Sequence, residues 1–163
     1  MVPWEVLEPG TVVDAPLILF WIPASGDDLR RSGLLTSYDL TLFSSRCVAM
    51  RVVRFNDRVR LTSLGIGADV PAAVLTNRSG DILGRVEAKD GALPVSEVED
   101  LVRDELDRRE AEAEARLDRA REHAEDGNDA AASAIYRAVF EDRCICPRQG
   151  RDARRALKKL ARK

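Results

Sequence analysis

Six consecutive apolar residues, Leu17-Ile18-Leu19-Phe20-Trp21-Ile22, stand out in a mixed N-terminal region and end at Pro23. A run without polar alternation is the pattern of a strand buried on both faces, in a sheet covered by helices. The lead-in over 1–15 carries Pro3, Pro9 and Gly10 around short apolar pieces, which predicts an extended segment with an edge strand. After Pro23 the acidic pair Asp27-Asp28 can cap a helix over 28–45, with a break at Gly33 and the Thr36-Ser37 pair. Residues 48–55 are β-branched and predict a second strand, and 58–64 a short helix. Residues 72–76 and 82–86 predict two more strands joined by the turn Asn77-Arg78-Ser79-Gly80-Asp81.

From Ser96 the period becomes helical. Ser96 and Glu99 have the spacing of a capping box, and Val98, Leu101, Val102 and Leu106 form one apolar stripe. Beyond Leu106 the stripe thins to Ala113, Leu117, Ala120 and Ala124 among dense charge, so the helix is predicted to leave the core. Asp126-Gly127-Asn128 is a helix stop. Helices over 130–143 and 150–163 follow, the first pairing with its predecessor as an αα-hairpin whose alanines permit close approach. The resulting class is α/β, a mixed sheet flanked by helices over 1–95 and an all-helical extension over 96–163.

Charge refines that division. The net charge of −2 hides an acidic stalk from Glu97 to Asp126 and a basic tail from Arg148 to Lys163. The 163 residues, 45% of them apolar, suffice for one core with a helical appendage. No apolar run reaches transmembrane length, and the N-terminus lacks the pattern of a secretory signal. Three cysteines make no disulfide framework and suit a reducing compartment, so a cytoplasmic location is expected.

The order of elements and several specific residues resemble the thioredoxin fold. Phe20-Trp21 followed by Ser25-Gly26-Asp27-Asp28 resembles the thioredoxin FWAxWCGPC segment, with Ser25 and Asp28 at the two cysteine positions. Gly67-Ala68-Asp69-Val70-Pro71 is similar to the loop carrying that family's cis-proline, which makes Pro71 the candidate. The strand, turn and strand over 72–84 complete a resemblance that reaches from Ala15 to about Leu106. The departures carry the functional implication. Thiol–disulfide exchange needs a thiolate of lowered pKa and a second thiol to resolve the mixed disulfide. Ser25 and Asp28 supply neither, and Leu19 replaces the buried carboxylate that thioredoxins carry just before Phe-Trp. The resemblance therefore implies a redox-inactive domain. Ala124-Glu125-Asp126-Gly127-Asn128-Asp129 with Ala132, Tyr136 and Val139 also resembles the inner part of a tetratricopeptide repeat. One unit does not bury a solenoid core alone, which implies either a hairpin with that packing or one docking on a partner's helices.

No catalytic residue is assigned: Ser25 would need a base, and the only histidine, His123, is expected to be solvated on the outgoing helix. Asp27, Asp28 and Asp39 are read as helix-start acids in preference to cation ligands, and Cys47 as a buried inert thiol. Cys144 and Cys146, one residue apart, are half a tetrahedral metal site or a strained disulfide at most. Trp21, Ile22, Pro23 and Pro71 have the composition of an apolar groove and are candidates for protein binding, with Tyr136 on the hairpin. Arg154, Arg155, Lys158 and Lys159 head a tail of cations that could neutralise phosphates, lie on anionic lipid, or dock on the acidic helix of the same or a neighbouring chain.

The function expected from these features is a non-catalytic adaptor or assembly subunit without cofactor or metal. It would bind a protein partner or larger complex, or form a homo-oligomer, and no small-molecule substrate is evident. The alternatives are thiol-redox or metal handling through Cys144 and Cys146, and weak binding of nucleic acid or membrane through the tail.

Overall fold

The computed structural model describes residues 1–162; Lys163, the last cation of the predicted tail, lies outside them. The chain divides into two compact units, Met1–Asp104 and Glu105 onward. The division falls inside a helix, several residues beyond the 95/96 boundary read from the sequence.

The first unit is built on a five-stranded mixed sheet in the order β1-β3-β2-β4-β5. The strands are β1 (Glu5–Val6), β2 (Leu17–Ile22), β3 (Val48–Val52), β4 (Ala72–Asn77) and β5 (Ile82–Glu87). β3 runs parallel to β1 and β2, whereas β4 runs antiparallel to both β2 and β5. All six residues of β2 are buried, as its unbroken apolar run requires. Ile18, Phe20 and Ile22 alternate onto one face, where they join Leu7, Val53, Leu61, Leu64, Ile66, Ala72 and Val74. Trp21 takes the other face and meets the edge of Trp4, the ring centroids 5.3 Å apart.

The predicted helix over 28–45 is three short pieces, and its break falls where the small polar residues stand. α1 (Gly26–Arg31) ends at Ser32, a 3₁₀ turn covers Gly33–Leu35, and α2 (Tyr38–Ser44) restarts at Ser37. Ser32 and Ser37 each cap the next piece, their hydroxyls accepting from Leu34 and Leu40 N–H. α3 (Arg58–Ser63) is capped by Asp57. At the β4–β5 turn, Asn77 bonds Asp81 through backbone and side chain while Gly80 takes φ 87°.

α4 (Val95–Glu125) is one helix of 31 residues. Ser96 lies inside it, and the Glu99 carboxylate accepts from the Ser37 hydroxyl at 2.6 Å, so the capping box expected at Ser96 is replaced by a contact 62 residues away. Gly84 admits its first turns: a Cβ there would stand 2.5 Å from Leu101 Cδ1.

In the second unit, the rest of α4 is followed by α5 (Asp129–Glu141) and α6 (Pro147–Leu160). α4 closes at Gly127, φ 77°, through Asn128 N–H to His123 C=O and Gly127 N–H to Ala124 C=O. Asn128 then caps α5. Ala113, Leu117, Ala120, Ala132, Tyr136, Val139, Ile145 and Ala153 are buried. α6 starts three residues before the predicted Gly150, because Pro147 occupies its first turn, where proline's missing N–H costs nothing. Gly150 is buried, and its lack of a side chain lets α6 approach the end of α5 closely. Among the described residues no helix is long and apolar enough to cross a membrane.

Candidate functional site

The registers Trp21↔Val52 and Ile22↔Ala72 bring three connections to one end of the sheet: the loop after β2, the loop after β3, and the loop before β4. Ser25 lies in the first of these. Its backbone is extended (φ −160°, ψ 171°) and it is the N-cap of α1. The Ser25 Oγ accepts from Asp28 N–H at 3.1 Å, and the Asp28 carboxylate accepts from Ala24 N–H at 2.9 Å. The two side chains thus form a reciprocal cap that satisfies amides at the helix start, an arrangement typically contributing about 1 kcal/mol. Asp27 pairs with Arg30 on the exposed side, and Asp39 pairs with Arg103. The three acids therefore do not converge on a cation; among the described residues no group of three or more His, Cys, Asp or Glu could hold a metal ion.

The third loop carries a cis Val70–Pro71 bond directly before β4. Trp21, Ile22, Pro23 and Pro71 are all buried. The apolar groove expected from their composition is therefore not an open one: these side chains are buried. Tyr136 is also buried on α5, at the floor of a groove it lines with Ala124, Ala156 and Leu160.

What this end does expose was not evident in the sequence. Phe55, 60% exposed, stands at the tip of the β3–α3 loop, and Val59, 84% exposed, in the first turn of α3. Ala24, Ser25, Gly26, Ala68 and Asp69 complete an exposed rim on the neighbouring loops. The signal that could have found it is a lone aromatic in a polar turn, Arg54-Phe55-Asn56-Asp57, just past the strand's end.

Cys47 is half-buried at the turn into β3 with φ 58°, and it is engaged in a disulfide, a correction to its reading as an inert thiol. In the helical unit Cys144 is disulfide-bonded and Cys146 buried, so the two do not present a pair of open thiolate ligands. A cleft of about 240 Å³ beside Cys146 is lined by Arg108, Arg109, Arg116, Glu112 and Asp142. Its charges are matched. Glu105, only 9% exposed, accepts from Arg108 and Arg109, Arg108 also pairs with Glu112, and Arg116 faces Asp142 at 3.4 Å. Burial alone would raise the Glu105 carboxyl, but the bonds from Arg108 and Arg109 outweigh it and hold it below its ordinary value.

The tail cations are placed differently. Arg154, Arg155, Lys158 and Lys159 are all exposed on α6, and Arg155 pairs with Asp152 at 3.8 Å within α6 itself. Several acids of α4 pair with arginines of α4, as Asp118 and Glu114 do with Arg121, and Glu97 pairs with Lys89. Among the described residues no ion pair joins these cations to the acids of α4, while Lys159 and Glu125 line one groove.

In comparison with known proteins, the chain matches no family model and no curated sequence.

Proposed function

We propose that this chain is a redox-inactive, thioredoxin-like adaptor or assembly subunit, whose sheet-end loops form a contact surface for a protein partner. The observation that carries the reading is the Ser25–Asp28 cap: the two positions that resemble the thioredoxin cysteines hold side chains fully engaged in starting a helix. The sheet order, with a parallel β1-β3-β2 half and an antiparallel β4-β5 half, supports the resemblance, as does the cis bond at Val70–Pro71. Exposed Phe55 and Val59 lie at the same end and supply apolar area that a folded domain otherwise leaves buried. Thiol exchange at this loop has no nucleophile, because a serine hydroxyl is too weakly acidic to give the required anion and forms no disulfide.

The partner test uses the full chain as bait and variants on either side of the distinction. Ser25→Ala loses about 1 kcal/mol of stability and keeps its partner. Phe55→Asp, at an exposed aromatic, weakens capture of the same partner at least tenfold, the scale of an interface anchor. Capture lost in Ser25→Ala and untouched in Phe55→Asp would return the function to the loop hydroxyl.

A further inference from the structure

The cations of α6 are arranged as a binding face. At about 100° per residue, Arg148, Arg151, Arg154, Arg155, Lys158 and Lys159 fall within an arc of about 140°. The opposite arc holds Gln149, Gly150 and Ala153, which are buried, and Ala156, Leu157 and Leu160, which are half-buried. All six cations are exposed, and the one acid on the helix, Asp152, sits at the rim of the arc beside Arg155. Of the acids on other elements, Glu125 of α4 lines a groove with Lys159, and Asp129 of α5 lines one with Leu157 and Leu160. Many arginines elsewhere in the molecule are paired with acids, as Arg51 is with Glu5, Arg54 with Glu8, Arg78 with Asp14 and Arg103 with Asp39. The α6 face is where positive charge accumulates without matching acids.

Magnitudes decide the occupant. An exposed ion pair contributes about 0.2–1 kcal/mol, so six of them do not dependably offset the roughly 4–15 kcal/mol lost when two proteins associate. That argues against an acidic protein surface or a second copy as the sole occupant of a face with no exposed apolar residue. Anionic lipid is favoured when an amphipathic helix can insert its apolar side, and on α6 that side is buried at Gln149, Gly150 and Ala153 and half-buried at Ala156, Leu157 and Leu160, which leaves little of it to insert. A nucleic-acid duplex differs from both. It carries one phosphate charge per about 1.7 Å of axis and a condensed counterion atmosphere, and each phosphate neutralised releases counterions to bulk. The six cations span about 16 Å of helix, one per about 3 Å, a comparable linear density. No aromatic residue lies on α6 to stack unpaired bases, which favours the duplex over a single strand.

We infer that the exposed face of α6 binds the phosphate backbone of duplex nucleic acid, without sequence preference. This binding is independent of the sheet-end loops and stands whether or not the adaptor reading holds.

The test is fluorescence anisotropy of a labelled 20-base-pair duplex of random sequence, titrated with the full chain at several salt concentrations. With four to five phosphates engaged, the slope of log K against log salt is about −3.6 to −4.5, a loss of roughly 100- to 500-fold between 50 and 200 mM salt. Lys158→Gln makes the slope shallower by about 0.9, and the triple variant Arg151→Glu, Arg154→Glu, Lys158→Glu abolishes binding at 50 mM salt with its helical circular dichroism unchanged. Arg58→Glu, an exposed cation of the sheet unit, leaves the affinity as it was. The inference is overturned if the duplex does not bind at 50 mM salt or if the triple variant binds like the parent. It is equally overturned if a single strand of the same length, or vesicles of anionic lipid, bind more tightly than the duplex.

Discussion

Trp21→Ala is expected to destabilise the chain by about 3–5 kcal/mol, the cost of removing a large aromatic from a packed interior. The indole is fully buried at the end of the central strand, with Val52 of β3 and Ala73 of β4 as its register partners. Its edge contact with Trp4 is lost at the same time, and Trp4 in turn ties the N-terminal segment to the Leu34 carbonyl at 2.9 Å. The damage should therefore extend to residues before β1. Trp21→Phe is expected to cost less, because the indole N–H has no hydrogen-bond partner to lose. Chemical denaturation measures both variants. The same experiment separates core from surface: a Trp21→Ala chain that kept its stability within 1 kcal/mol but lost its protein partner would make this residue a contact residue.

Gly150→Ala is expected to lower the stability of the helical unit by about 1–3 kcal/mol, although helix propensity alone favours alanine by about 1 kcal/mol. The two effects have opposite signs, so the result is decided by packing. A Cβ at Gly150 would lie 2.4 Å from Arg143 Cβ and 2.8 Å from Arg143 Cα, and a backbone atom cannot rotate out of the way. Gly84 is the instructive contrast, since the Cβ there would meet the mobile end of Leu101. Gly84→Ala should accordingly be the milder of the two. Thermal unfolding followed by helical circular dichroism measures both; a gain in stability at Gly150 would mean that α5 and α6 stand further apart than described.

Local signals in the sequence hold where the chain satisfies them locally. The all-apolar run became the buried central strand, Gly33 and Thr36-Ser37 broke the first helix, Asn77–Asp81 turned a hairpin, and Gly127 closed α4. The misreadings share a different cause. Glu99 had the spacing of a capping-box partner for Ser96, yet it bonds Ser37, a residue that periodicity cannot bring near. Pro147, between the two predicted helices, belongs to the second, because the missing N–H of proline suits a first turn.

The candidate site shows the same limit more sharply. Composition marked Trp21, Ile22, Pro23 and Pro71 as apolar, and apolar they are, but whether the end of a strand is open or sealed depends on loops from β3 and β4 distant in sequence. A charge introduced at Ile22 would therefore unfold the strand before it could report on a partner, and the informative substitutions move to Phe55 and Val59. Tyr136 followed the same course on α5. The cations of α6, by contrast, were legible in the sequence as a basic tail; what only the structure adds is that they are exposed on one face of the helix, while Glu114 and Asp118 of α4 pair with Arg121 of the same helix.

The proposed function stands on the absence of thiols at Ser25 and Asp28, and turnover of a generic protein disulfide in the presence of an external reductant tests it directly. The full chain is expected to give no reduction above the rate of the reductant alone, and Ser25→Ala should leave that rate unchanged. Catalytic turnover that disappears when Cys47, Cys144 or Cys146 is replaced by serine would contradict the account.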